Sequence, residues 1–208
     1  MKAFWNLVRH RYFKVAAIIS LVLVLPVILI SGQQQQDQRS SATLSTTLYF
    51  SPENNRSNPI VKNINDEFNL DVMLNPGKNL ISLLKLDIEY DSNILTLNTE
   101  NPLKINGAIF PEILEGPIYS EGRIQVVLSI GSDQTKVITA ENRIMTINFV
   151  AKNSSNRTLI NFGANNSAFS VGANDQSGED VISSLTPAYI KINRATSKNI
   201  NTEKAPKR

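Results

Sequence analysis

Two patterns of apolar residues divide this chain. Residues 15–32 contain no charged side chain, whereas from residue 43 onward apolar and polar residues alternate in short runs. An uncharged run of about 18 residues is typical of a transmembrane helix. Alternation with a period of two is typical of a β-strand with one buried face. The sequence therefore predicts one N-terminal membrane-spanning helix followed by a β-rich domain.

The β-rich part is predicted to be all-β, with Asn, Gly, Pro, Ser and Asp marking the turns between strands. Many short strands with turn residues between them favour a sandwich or a barrel. Residues 136–141 form the one helix-like piece. The predicted strands are 44–50, 67–74, 81–90, 94–97, 104–110, 123–130, 144–152, 158–162, 168–171 and 188–192.

Charge around the apolar run predicts how the chain is oriented. Four basic residues and no acidic one precede the run, and such a positive flank stays in the cytoplasm. We therefore expect a single-pass protein of the cell membrane whose C-terminal domain lies outside the cytoplasm. The predicted segments are a basic leader (1–14), a signal-anchor (15–32), a polar linker (33–42), a β-sandwich domain (43–192) and a disordered basic tail (193–208).

A cleaved signal peptide is the alternative to a retained anchor, and it would make the protein secreted. The uncharged run is longer than the ~7–15 residues of a signal-peptide core, and no good small-x-small cleavage motif follows it closely. Length therefore favours the anchor.

Composition excludes several kinds of chemistry. The chain has no Cys, and its only His is His10 in the leader, so the domain cannot contain a disulfide, a Cys or His metal site or a Ser-His-Asp triad. Between residues 37 and 190 there are 11 basic and 17 acidic residues, although the whole chain is basic. An acidic domain argues against a nucleic-acid partner. We predict no cofactor and no bound metal.

The order of strands resembles that of the cohesin domain and its carbohydrate-binding-module relatives. The resemblance covers roughly residues 66–192 and rests on a strand, the turn Asn75-Pro76-Gly77, a second strand and then a Tyr90-Asp91 step leading to Leu95. Ser92 replaces the Pro that usually follows this step. The resemblance implies an antiparallel jelly-roll β-sandwich of about nine strands that binds a ligand and is not an enzyme.

Cohesins bind dockerin modules through one sheet face, and the related modules bind polysaccharide. The resemblance thus implies a cell-surface adhesion module whose partner is a protein module or a polysaccharide. A structural surface subunit or pilin-like subunit without a specific glycan ligand is the alternative. If the strands are neighbours as in cohesins, the polar residues of one continuous face form the binding site: Lys85, Asp87, Glu89, Arg123, Gln125, Ser129, Thr146 and Asn148.

Three weaker candidates come from individual residues. Asp87 and Glu89 lie two residues apart on one strand face, a spacing of roughly 6.6 Å that is compatible with glycoside hydrolysis, but such pairs are usually incidental. The acidic stretch 175–180 lacks the spacing of a calcium-binding loop. Tyr49, Tyr119 and Tyr189 are the plausible exposed rings, and each is expected to pack at an edge rather than bind sugar.

The retained anchor is directly testable. Protease added to intact cells should remove an epitope placed after Arg208, because the positive flank holds the N-terminus inside. Mass spectrometry of the mature protein should recover its N-terminal leader. A mature N-terminus near Gln33 or Ala42 would show that the leader is cleaved.

Overall fold

The computed structural model describes residues 44–171 and 180–194, and the predicted leader, signal-anchor and linker lie outside them, as does most of the tail. No helix among the described residues is long and apolar enough to cross a bilayer. They form a 3-10 helix, Gln134–Lys136, and the strands β1 Thr46–Ser51, β2 Ile60–Asn63, β3 Glu67–Asn75, β4 Ile81–Tyr90, β5 Leu95–Leu97, β6 Leu103–Ile105, β7 Glu112–Ser120, β8 Arg123–Ser129, β9 Asn142–Ala151, β10 Ser155–Phe162, β11 Ser167–Ser170, β12 Ile182–Thr186 and β13 Ala188–Asn193.

The strands form two sheets. The six-stranded sheet has the order β12-β1-β3-β9-β5, with β6 also paired to β9. The seven-stranded sheet has the order β2-β13-β10-β4-β8-β7, with β11 also paired to β4. All pairs are antiparallel except β1 with β12 and β13 with β2. The predicted all-β sandwich is confirmed.

The strand count exceeds the predicted number of about nine because three long extended segments are each divided into two strands. Both β10 and β11 pair with β4, and both β5 and β6 pair with β9. Only Pro187 separates β12 from β13, which belong to different sheets. Proline lacks the N–H group that a ladder needs, so it suits the point where the chain leaves one sheet for the other.

Apolar residues of the two inner faces form the core. Leu70 and Val72 of β3 and Leu84 and Leu86 of β4 are almost fully buried, as the alternation of the sequence predicts. Fully burying such a side chain contributes about 1.5–3 kcal/mol. Gly77 makes the turn between these strands with a φ of 62°, and a Cβ there would lie 2.5 Å from the Ser45 carbonyl oxygen.

Aromatic rings join the two sheets at two points. Phe149 of β9 stacks on Phe68 of β3 at 5.6 Å between ring centroids and meets Tyr90 of β4 edge-on at 5.3 Å. Phe50 of β1 stacks on Phe162 of β10 at 4.5 Å. Because each group contains residues of both sheets, these contacts help to hold the two layers face to face.

The sequence missed some elements and misread others. β2, β7 and β12 were not predicted, and the strand expected over 104–110 ends at Ile105. The helix-like reading of 136–141 is wrong beyond Lys136, where the 3-10 helix ends. Ile138 forms an isolated bridge with Ile81 and is buried, so this segment packs against the sheet as an extended chain.

Truncating the ring between the sheets tests the core. In the isolated domain, residues 43–194, Phe149→Ala should lower the free energy of unfolding by about 3–5 kcal/mol, because the cavity loses packing on Phe68 and Tyr90. The matched control is Thr96→Ala on β5, which pairs with the same strand but is exposed. Chemical denaturation measures both, and equal losses for the two variants would contradict this packing.

Candidate functional site

The outer surface of β4 and β8 carries most of the predicted site. In the register of these strands Glu89 lies opposite Arg123, Asp87 opposite Gln125 and Leu83 opposite Ser129. Because side chains two residues apart share a face, Lys85 belongs to the same surface. We call this surface the β4–β8 face, formed by Lys85, Asp87, Glu89, Arg123, Gln125 and Ser129.

Thr146 and Asn148 are not part of this face, which corrects the prediction of one continuous surface. Both lie on β9 in the six-stranded sheet. The Thr146 hydroxyl donates to Asp71 Oδ1 at 2.5 Å, and Asn148 Nδ2 donates to the Asn101 carbonyl at 2.6 Å. Their alternation with buried residues was correctly identified, but alternation does not show to which sheet a strand belongs.

Asp87 is also corrected, since it was expected to point into solvent and is fully buried. Its carboxylate accepts a hydrogen bond from Arg123 Nε at 2.6 Å and pairs with Arg123 Nη2 through its other oxygen. The Asn165 backbone N–H donates to Oδ2 at 3.2 Å. The hydrogen bonds from Arg123 outweigh burial and hold the pKa of Asp87 below its usual value.

A four-residue loop explains why an outward-facing position is covered. Residues 163–166 connect β10 to β11 across the gap where neither strand pairs with Asp87. The Gly163 N–H donates to the Asp87 carbonyl at 2.7 Å. The Asn166 side chain takes the place of a strand partner for the Asp87 backbone. Its Oδ1 accepts from the Asp87 N–H at 2.8 Å, and its Nδ2 donates to the Asp87 carbonyl at 3.0 Å.

The acid pair Asp87 and Glu89 does not have the features of glycoside hydrolysis. A glycosidase needs an acid whose pKa is raised, whereas Arg123 lowers the pKa of Asp87. Arg123 Nη2 also lies 3.8 Å from Glu89 Oε1. The single guanidinium therefore lies between the two carboxylates, with its hydrogen bonds directed to Asp87. Of the predicted acidic stretch 175–180, only Asp180 is described, and its Oδ1 accepts the backbone N–H groups of Ala168 and Ile182.

The sequence missed an apolar cluster on β7. Among the described strands, β7 forms the edge of the seven-stranded sheet and pairs with β8 alone. Four of its side chains are exposed by 43–56%, which is unusual for large apolar residues on one nine-residue strand. Ile118 lies opposite Gln125 and continues the β4–β8 face, whereas Ile113 and Tyr119 lie opposite the core residues Leu128 and Ile124 and belong to the other face of the strand. The β7 cluster consists of Ile113, Leu114, Ile118 and Tyr119.

Only one of the three predicted exposed rings is strongly exposed. Tyr119 belongs to the β7 cluster and is 43% exposed. Tyr49 donates to Glu141, and Tyr189 lies half-buried on β13. Toward β10, Glu89 and Asn161 line an open groove of about 490 Å³ beside the face.

Comparison with known proteins shows the fold. No family model and no curated protein matches the chain. The solved structure of CaCohA2 from Clostridium acetobutylicum has a TM-score of 0.58 at 12% identity, covering 74% of this chain and 93% of that one. A cohesin from Clostridium thermocellum, Coh-OlpC solved with Doc435, has a TM-score of 0.57 at 11% identity, covering 74% and 97%.

A third similar structure comes from an archaeon. The non-cellulosomal cohesin of the archaeon Archaeoglobus fulgidus has a TM-score of 0.51 at 11% identity, covering 71% of this chain and 91% of that one. At such low identity the likeness concerns the fold alone. The cohesin-like fold expected from the strand order is thus confirmed.

The close approach of Gly163 to Asp87 gives a matched test. A Cβ at Gly163 would lie 2.7 Å from Asp87 Oδ2 and 2.9 Å from Glu89 Oε1, so Gly163→Ala should lower the free energy of unfolding by about 1–3 kcal/mol. Gly107→Ala is the control, because a Cβ there meets nothing within 4 Å. Thermal melts that shift equally for both variants would contradict the close contact.

Proposed function

We propose that this protein is a cohesin-like binding module that captures a dockerin-type protein module at the cell surface, held at the membrane by residues 15–32. The observation that carries the proposal is the exposed apolar edge strand β7, whose Ile118 extends the charged β4–β8 face. The fold supports it, because a cohesin of similar fold was solved in complex with a dockerin.

The combination of groups on this surface suits a protein partner. Exposed apolar side chains supply area that becomes buried on binding, and the charged rim supplies orientation. Lys85 and Glu89 are exposed on the face, while Arg123 is fixed by its hydrogen bonds to Asp87. A side chain held in one conformation loses less entropy when a partner binds.

Polysaccharide binding is less well supported on this surface. Stacking on a polysaccharide chain needs exposed aromatic faces, and the predicted site residues Lys85, Glu89, Gln125 and Ser129 include none. Tyr119 is one ring at the sheet edge. We therefore favour a protein over a polysaccharide as the partner of the β4–β8 face.

Charge placed in the β7 cluster tests the proposal. Ile118→Asp should weaken binding of a dockerin module at least tenfold, about 1.4 kcal/mol, because binding would desolvate the new carboxylate. Folding should be retained, since Ile118 is 46% exposed. Surface plasmon resonance against a panel of dockerin modules measures the affinity, with circular dichroism as the folding check.

The matched control lies on the opposite edge of the same sheet. Val61 on β2 is 54% exposed, so Val61→Asp introduces the same charge at similar exposure, and it should leave binding unchanged. Equal affinity of both variants and the parent would show that the docking site does not lie on β7. Failure of the parent to bind any dockerin would favour the alternative of a structural surface subunit.

A further inference from the structure

The described part of the six-stranded sheet contains a cleft that the proposed docking surface does not use. It lies where β1 runs beside β12, which pair in register with Thr47 opposite Ser184 and Tyr49 opposite Thr186. The cleft has a volume of about 280 Å³, and Glu53 and Pro187 also line it. This cleft and the β4–β8 face therefore belong to different sheets.

The aromatic wall of the cleft is fixed before any ligand arrives. The Tyr49 hydroxyl donates to Glu141 Oε1 at 2.5 Å, and Asn75 Nδ2 donates to the other oxygen of Glu141 at 3.2 Å. The hydrogen bond to Glu141 raises the pKa of Tyr49 to about 12, so the hydroxyl stays a donor well into the alkaline range. A fixed ring costs little entropy when it packs against a ligand.

The base of the cleft is equally well supported. Phe50 is 3% exposed and stacks on Phe162 beneath it. Asn54 holds the turn at the end of the cleft, because its Oδ1 accepts from the Tyr189 N–H at 2.6 Å and its Nδ2 donates to the Pro52 carbonyl at 2.8 Å. Contacts within the protein thus define the shape of the cleft before a ligand binds.

The chemistry of the lining selects a class of ligand. Thr47, Ser184 and Thr186 offer hydroxyl groups that both donate and accept, and Glu53 offers a carboxylate that accepts. The described residues that line the cleft include no Lys or Arg. Glu53 and Glu141 both act on Tyr49 through their charge, so this end of the cleft is negative and disfavours anions.

We propose that this cleft binds one sugar ring of a neutral saccharide. The apolar C–H face of a pyranose would pack on the Tyr49 ring or on Pro187, and its hydroxyls would donate to Glu53 and exchange hydrogen bonds with Thr186 and Ser184. A concave site with one aromatic wall and a few convergent polar groups is the usual form of a small-ligand site. The inference goes beyond the proposed protein docking and does not depend on it.

The test uses the full chain in micelles of a detergent without a sugar headgroup. Isothermal titration with cellohexaose, xylohexaose, mannohexaose and N-acetylglucosamine hexamer should show binding of at least one, while oligogalacturonate should bind at least tenfold more weakly. Glu53→Gln and Thr186→Val should each weaken that binding at least fivefold. Both residues are exposed, so circular dichroism should show an unchanged fold.

Control variants separate this proposal from protein docking. Thr96→Val removes an exposed hydroxyl from β5, outside the cleft on the same sheet, and should leave sugar binding unchanged. Ile118→Asp should also leave sugar binding unchanged, because it lies on the other sheet. The proposal is overturned if none of the four neutral sugars binds, if oligogalacturonate binds as well as they do, or if both cleft variants bind like the parent.

Discussion

The described domain depends on burying two apolar sheet faces against each other. Neither sheet could leave its inner face in water, since β3, β4, β8 and β9 each contribute three or more buried apolar side chains. The ring of Phe149 shows the constraint most clearly, because it packs on Phe68 within its own sheet and on Tyr90 of the other. The outer faces of the two sheets differ in chemical character, and the two proposals place a different ligand on each.

On the seven-stranded sheet, the buried carboxylate of Asp87 determines what the outer face can do. Removing a charge from water is costly unless it is paired and hydrogen-bonded. Arg123 and the loop 163–166 satisfy this requirement. As a result Asp87 is not available to a partner, while Arg123 is held in place. The proposed docking would then rely on Lys85, Glu89 and the exposed apolar residues of β7.

On the six-stranded sheet, a hydrogen bond to a carboxylate likewise holds a neighbouring side chain in place. Glu141 fixes the hydroxyl of Tyr49, and the ring becomes a rigid wall rather than a mobile side chain. Hydroxyl groups of β1 and β12 lie beside it because these strands pair in parallel register. A mixed-charge face with apolar neighbours suits a protein, and a small cleft of hydroxyls suits a sugar. The two proposals therefore differ in surface and in ligand chemistry.

The sequence by itself determined the all-β class, the strand order that resembles cohesins, and which residues of the long strands face the core. The bounds of β4 and the alternation along β3 and β8 were predicted correctly, because a half-buried strand shows its period within a few residues. β7 was missed because Gly116-Pro117 interrupts it and its apolar residues do not alternate.

Only the tertiary structure decided which strands are neighbours and what covers them. Thr146 and Asn148 were placed on the wrong sheet, and Asp87 was expected in solvent although residues far along the chain enclose it. The cleft beside Tyr49 likewise needs β12, which lies near the opposite end of the described chain from β1. Periodicity is a local property of the chain, whereas strand pairing and burial depend on contacts between residues that are distant in sequence.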